Sequence, residues 1–248
     1  MVQSILRAAE ILSAMKIPDK SYFVKDICEI TGLPAATVHR ILATLVSCGY
    51  VFYDERAHSY KLGAALIPLG LAAMHNVELQ EQAATVLKKI TKLTGEDSFL
   101  IIRVGNNGII VKKEQGPNNL KVIENFGYEV PLHWGAIRKV LLAYQSDEFI
   151  SEYVNSQLLN TPTHMAFDSS KLLRELQEIR KNAVAVSGGD YIQNGMGIGS
   201  PVFDYNGDVV GSIGIISTGS RINKNNLEKY IEVVKDCAKE LSSMMGHA

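Results

Sequence analysis

The chain has 248 residues, 46% of them hydrophobic, and a formal net charge of −1. That length and composition exclude a disordered or low-complexity chain and leave room for one or two domains with a sizeable core. The near-neutral balance excludes nucleic-acid binding by bulk positive charge alone. Taken in chain order, Ile5, Ala9, Leu12 and Met15 give a first amphipathic helix with Pro18 just beyond its end. Val24, Ile27 and Ile30 then mark a short helix stopping at Gly32, and Pro34 stands where a new helix can lack an N–H. In that next helix Val38, Ile41, Leu42, Leu45 and Val46 recur at i, i+3, i+4, i+7 and i+8, which commits one stripe to a core. The opposite stripe carries Thr37, Arg40, Thr44 and Ser47 with His39 beside them, hydroxyls and a guanidinium suited to phosphate oxygens and base edges. Runs at Tyr50 to Tyr53 and Ser59 to Leu62 flank a polar Asp54-Glu55-Arg56-Ala57-His58 tip and read as a hairpin. Helix, turn, helix and hairpin together make a winged helix.

Charge within this segment is locally arranged. Residues 1–62 hold seven Lys/Arg against six Asp/Glu, a net +1, yet no acid lies between Glu29 and Asp54. Few phosphate contacts per module are expected, so useful affinity calls for two or more modules on one DNA. The stretch from Leu62 to Met74 is apolar nearly all round a helix, and such a surface needs a cover. A second subunit is the expected cover, with packing on the chain's own C-terminal domain as the alternative.

From about Val77 the pattern changes. Leu79, Ala83, Val86, Leu87, Ile90 and Leu93 form an amphipathic helix ended by Gly95, and Phe99 to Val104 and Ile109 to Lys113 flank a Gly105-Asn106-Asn107-Gly108 hairpin signal. Helices are predicted near Gly135 to Tyr144, Asp147 to Val154 and Ser169 to Asn182. Strands are predicted at Ala183 to Ser187, Ile198 to Phe203 and Val209 to Ser217, and a last helix at Asn225 to Met245. An antiparallel sheet with helices on its faces is the expected α+β product. Glycines 188, 189, 195, 197 and 199 read either as backbone brought close to a small ligand or as tight turns and a bulge.

Catalytic and metal readings find little support. Cys28, Cys48 and Cys237 form no CxxC pair, the histidines lack metal-ligand neighbours, and no GxSxG, HExxH or P-loop is present. Neither catalytic residues, a metal site nor a cofactor is expected. The longest apolar stretch contains Pro68 and is too short to span a bilayer, and no signal-peptide core opens the chain, so a cytoplasmic protein is expected.

The stretch from Gln3-Ser4 through GLPAATVHRILATL, GYV, Asp54 and Tyr60-Lys61-Leu62-Gly63 resembles the IclR family of bacterial transcriptional regulators. The resemblance continues in PLHWGAIRKVLLA at Pro131 to Ala143 and PVFDYNGDVVGSIGI at Pro201 to Ile215. It implies a winged helix over 1–62, a linker helix over 63–77 and a GAF-like effector-binding domain over 78–248. It also implies a dimeric or tetrameric operator-binding repressor that responds to a small organic acid or aromatic metabolite. The expected DNA-facing residues are Pro34, Ala35, Ala36, Thr37, His39, Arg40, Thr44, Arg56 and His58. By similarity to the family, effector contacts fall at Trp134, Gly135, Ala136, Ile137, Asp190, Gly197 and Ser217. Arg138 departs from the family pattern, in which a small residue is usual; it is expected to face solvent, with pairing to an anionic effector as the alternative. Trp134 reads as pocket wall or plain core. The competing functional class is a winged-helix protein-interaction or ligand-sensing module without specific DNA binding.

Overall fold

A computed structural model of the protein describes residues 1–17, 20–75, 78–118, 128–158, 168–189 and 191–247. It divides into two compact units, Met1–Asn76 and Val77–Ala248.

The first unit holds α1 (Gln3–Ala14), α2 (Val24–Thr31), α3 (Ala35–Ser47), the hairpin of β1 (Val51–Asp54) and β2 (Ser59–Leu62), and α4 (Leu66–His75). Its core gathers Ile11, Met15, Tyr22, Ile27, Val38, Leu42, Leu45 and Val51. Gly32 ends α2 in the left-handed region (φ 68°), and its N–H donates to the Cys28 carbonyl at 2.8 Å, which closes the helix before Pro34 starts the next one. Tyr22 exchanges two backbone hydrogen bonds with Tyr60, lacing the segment before α2 onto the wing. The predicted α1 stripe holds at Leu12 and Met15 and is corrected at Ile5 and Ala9, which are exposed. Ile11 and Met15 are buried, whereas Ile5 is 67% exposed and lines an open groove between α1 and α3. Ile30, likewise expected to mark the α2 core face, is exposed.

The second unit is a three-layer α+β structure. A six-stranded sheet runs in the order β5-β4-β3-β8-β7-β6, every neighbouring pair antiparallel. Its strands are β3 (Asp97–Val104), β4 (Asn107–Glu114), β5 (Val130–Pro131), β6 (Ala185–Gly188), β7 (Gly195–Phe203) and β8 (Val209–Thr218). Helices α5 (Glu78–Thr94) and α9 (Leu227–Met244) cover one face, and α6 (Ala136–Ala143), α7 (Asp147–Leu158) and α8 (Ser169–Asn182) the other. Strand alternation sorts the two cores: Phe99, Ile101 and Ile216 belong to the α6 side, and Leu100, Ile213 and Ile215 to the α5–α9 side. The short β5 was not anticipated.

A second difference concerns the glycine-rich stretch. Instead of turns, Gly195 to Gly199 form the first half of β7, hydrogen-bonded on both sides to β6 and β8. A Cβ on Gly199 would stand 2.6 Å from the Ile137 Cα, so the missing side chain is what lets α6 lie directly on the sheet. Ser212 fixes that contact, its hydroxyl donating to the Ile137 carbonyl at 2.7 Å.

Two buried acids make the fold sensitive to alkali. Burial pushes the Tyr153 phenol up to about 12 from its usual 10.0, and the Cys237 thiol up to about 11 from 9.0. Above its unfolded-state value each group keeps its proton only in the folded chain, so the stabilisation is complete below about pH 9 and is lost as pH climbs through 9 to 12. Urea unfolding midpoints are therefore expected to fall over that range. A Cys237→Val variant should flatten the part between pH 9 and 11; an unchanged profile would contradict this account.

Candidate nucleic-acid interface and effector pocket

Helix α3 buries Val38, Leu42 and Leu45 and turns Arg40, His39, Thr44 and Ser47 outward. Arg40 enters no ion pair among the described residues, so its guanidinium is available to an outside partner. Two hydroxyls are turned back onto the helix, Thr44 donating to the Arg40 carbonyl at 3.2 Å and Ser47 to the Thr44 carbonyl at 2.7 Å, which leaves their oxygens as acceptors. Pro34 occupies the N-cap and no side chain caps the helix, so the exposed first turn of Ala35 and Ala36 presents backbone amides outward. Thr37 is half-buried, at the edge of a groove of about 480 Å³ between α3 and α1. That groove also brings Ser4 and Arg7 beside Arg40 and Thr44. Neither residue was singled out from sequence, because their neighbourhood depends on how α1 crosses α3.

At the wing, the Asp54 carboxylate accepts from the Arg56 and Ala57 amides at 2.9 and 3.1 Å, tying off the tip and leaving the Arg56 side chain exposed. His58 has a positive φ of 49° and its Nδ1 lies 3.0 Å from the Tyr53 hydroxyl, while the Tyr53 ring sits 4.8 Å from that of Tyr60. The wing is thus a stiff hairpin carrying one arginine at its end.

In the second unit, Gly135, Ala136, Ile137 and Gly197 line a single cavity, joined by Arg138, Ser187, Tyr191, Ile192, Gly195, Met196 and Ile216. Gly135 precedes α6 at φ 74°, a conformation that favours glycine, and so aims the first turn of the helix into the cavity. The Ala136 amide donates to the Ser187 hydroxyl at 2.9 Å. Trp134 is not part of the lining; its ring meets Tyr191 edge-on at 5.8 Å and so backs the wall from outside. Ser217 is also outside the lining. It is buried one position beyond Ile216, and strand alternation turns it toward the other face. Asp190 lies outside the described residues.

Arg138 is a correction. Expected at the surface, it is 2% exposed. Every residue of α6 is buried, so no solvent side exists for it to reach. Its stem passes over Gly108, where an added Cβ would stand 2.9 Å from the Arg138 Cγ, and its guanidinium lies over the Tyr191 ring at 4.9 Å. A buried cation, a hydroxyl and a helix N-terminus therefore converge on one small cavity of about 20 Å³, room for about one water. Ser187, Tyr191, Ile192 and Met196 were missed as well; along Ala185–Gly188 the apolar Val186 is the exposed residue and Ser187 the buried one, the reverse of what apolar alternation suggests.

Comparison with known proteins places these two units. The signature described as the IclR helix-turn-helix domain matches residues 4–55, and that described as the bacterial transcriptional regulator IclR C-terminal matches residues 71–243. The chain belongs to the IclR family. It is similar to the HTH-type transcriptional repressor AllR of Salmonella paratyphi A, 27% identical over 98% of this chain and 90% of AllR. Among solved structures, the IclR transcriptional regulator from Alicyclobacillus acidocaldarius matches with a TM-score of 0.82 at 24% identity, covering 99% of this chain and all of that one. An IclR homologue from Microbacterium hydrocarbonoxydans, complexed with 4-hydroxybenzoate, matches at a TM-score of 0.77 and 18% identity, covering 98% of this chain and 99% of the other. This IclR-family chain is thus a DNA-binding transcriptional regulator with an effector-binding C-terminal domain, and its curated relatives are regulators, not enzymes. No single helix among the described residues is long and apolar enough to cross a membrane.

Proposed function

We propose that the chain is a cytoplasmic, operator-specific repressor that binds DNA as a dimer or tetramer and whose grip on the operator is changed by a small organic acid in the C-terminal pocket. In this reading residues 1–62 carry DNA contact, 63–77 the link, and 78–248 the effector response. The observation that carries it is the outward stripe of α3, with Arg40 exposed in a segment that has no acid between Glu29 and Asp54. Arg40 serves as a reader of guanine or a clamp on phosphate; Thr37, His39 and Thr44 share the groove; Pro34 to Ala36 and the wing residues Arg56 and His58 position the backbone. Arg7 adds a phosphate contact across the α1–α3 groove.

Selection from random duplex DNA with the full chain should enrich a palindromic motif whose half-sites lie about 34–36 Å apart or a multiple of that. Failure to enrich any motif would favour the protein-interaction reading instead.

Self-association is supported by α4, where Ile67 is 62% and Leu69 53% exposed within one unit. Apolar surface of this kind is costly to leave in water, and a second α4 is a cover of the same chemistry. Replacing Ile67 and Leu69 together by Asp should convert the wild-type oligomer to monomers in sedimentation velocity; an unaltered species would remove α4 from the interface.

An aromatic acid is supported by the 4-hydroxybenzoate complex of the Microbacterium relative and by the cationic, ring-lined character of the pocket here. Such a molecule exceeds the cavity of about 20 Å³, so its binding requires Tyr191 and Arg138 to separate. Because Trp134 rests edge-on against Tyr191, titration with 4-hydroxybenzoate should change the fluorescence of this, the chain's one tryptophan. A Trp134→Phe variant would lose the signal but keep the thermal stabilisation, about 2.7 kcal/mol at 100 times the dissociation constant. Constant fluorescence in a wild-type protein that the acid does stabilise would place the ligand elsewhere.

A further inference from the structure

A second preformed cavity in the second unit lies against α9, on the side of the sheet opposite α6 and the effector pocket. It holds about 360 Å³ between α9, β7 and the residue that follows α8, Ala183. That size is within the range of small-molecule sites, and it needs no opening. We infer that this cavity is a second ligand site, for a small organic anion bearing a carboxylate or phosphate on a flat, apolar body.

Its chemistry is set by one stripe of α9. Lys235, Lys239 and Ser243 follow one another at four-residue steps and so stand on one face of the helix, and all three line the cavity. No Asp or Glu is among the lining residues, and neither lysine enters an ion pair among the described residues. The acid nearest in sequence to Lys239, Glu240, is engaged by Lys89 of α5. Although Glu232 and Asp236 stand on the same helix, neither lysine is ion-paired among the described residues, so two ammonium groups and a hydroxyl line one cavity in a way that suits an anionic head.

The wall is aromatic. Phe203 stacks on His247 with centroids 5.0 Å apart and meets Tyr144 edge-on at 5.3 Å. The His247 ring is held by Nδ1 against the Asp204 carbonyl at 3.1 Å; since that carbonyl only accepts, Nδ1 carries the proton and Nε2 is left for another partner. The floor is polar but satisfied: Ser242 accepts from the Phe203 amide and donates to the Ala238 carbonyl, and Ser200 donates to the Ala183 carbonyl. The open hydrogen-bonding capacity is concentrated on the lysine stripe and the His247 ring.

The site rests on neither the DNA-binding nor the effector reading, but it shares β7 with the effector pocket: Gly195, Met196 and Gly197 line one cavity, and Ser200, Pro201 and Phe203 the other. Occupancy would tie α9 to the strand that forms the floor of the effector site.

The test is calorimetric titration of the full chain with phenyl phosphate and, separately, benzoate, which distinguishes the phosphate from the carboxylate source. Saturable binding of at least one probe is expected, with a K235A/K239A double variant about tenfold weaker or more and K235R/K239R retaining most of the affinity, since only the charge is kept. A Gly197→Leu variant, which fills the effector pocket, should leave this binding intact. No saturable binding of either probe, equal affinity in the K235A/K239A variant, or loss of binding in Gly197→Leu would each overturn the proposal, and none of these outcomes bears on operator recognition. Circular dichroism checks that the Gly197→Leu chain is folded; if it is not, Ser187→Leu takes its place.

Discussion

Arg40→Ala is expected to abolish specific operator binding while the protein stays folded and keeps its response to effector. A well-placed arginine contact is worth about 1–3 kcal/mol, and a two-fold assembly loses it twice, so the combined loss of about 2–6 kcal/mol corresponds to roughly thirtyfold to twenty-thousandfold in affinity. Little else on the same helix can compensate. The Thr44 and Ser47 hydroxyls already donate to their own helix, and the first unit carries only a slight excess of positive charge. Gel-shift titration of the selected operator measures the effect, with far-ultraviolet circular dichroism and Trp134 fluorescence as controls. Specific shifts at wild-type protein concentrations would refute the assigned role. If Arg40 touches phosphate and not a base, the variant should instead weaken all sequences about equally and lower the salt dependence.

Gly214→Val is expected to prevent folding of the second unit, and Gly214→Ala to lower its stability by several kcal/mol. A Cβ at this position would stand 2.0 Å from the Ile198 carbonyl oxygen and 2.8 Å from the Ile137 Cγ1. Neither neighbour can yield cheaply, because Gly214 faces Gly199 in the β7–β8 ladder and α6 is seated directly on that pair. Displacing α6 would move Gly135, Ala136 and Ile137, so effector binding should fail together with stability. Gly188→Ala is the control. An added Cβ there meets nothing within 4 Å, and its effect should stay within about 0.5 kcal/mol. Equal urea midpoints for the Gly214→Ala and Gly188→Ala proteins would show that the close approach of helix and sheet carries no weight.

The two units differ in how much of each was legible beforehand. For the helix-turn-helix, the turn glycine, the Pro34 start and the Val38, Leu42, Leu45 stripe are all decided within a span of some fifteen residues, and each appears where the periodicity puts it. Patterning failed at the start of α1, where Ile5 of the predicted stripe is exposed while Ile11, outside that stripe, is buried. In the second unit, the Gly105-Asn106 hairpin and most strands and helices were likewise readable. The pocket was only half readable: the Gly135 to Ile137 segment and Gly197 meet as the family resemblance implies, while Ser187, Tyr191 and Met196 arrive from a distant part of the chain.

Arg138 and the β7 glycines mark the boundary most sharply. Local pattern determined that α6 begins after Gly135, that Arg40 lies opposite an apolar stripe, and that a turn separates α2 from α3, because helix period, capping and turn chemistry act between residues a few positions apart. Tertiary structure alone decided that α6 has no solvent side, that β7 begins as early as Gly195, and that a lysine stripe lines one cavity with Phe203 and His247. Those outcomes depend on which surfaces meet between separate elements of the fold, and burial is a property of the meeting, not of the residue.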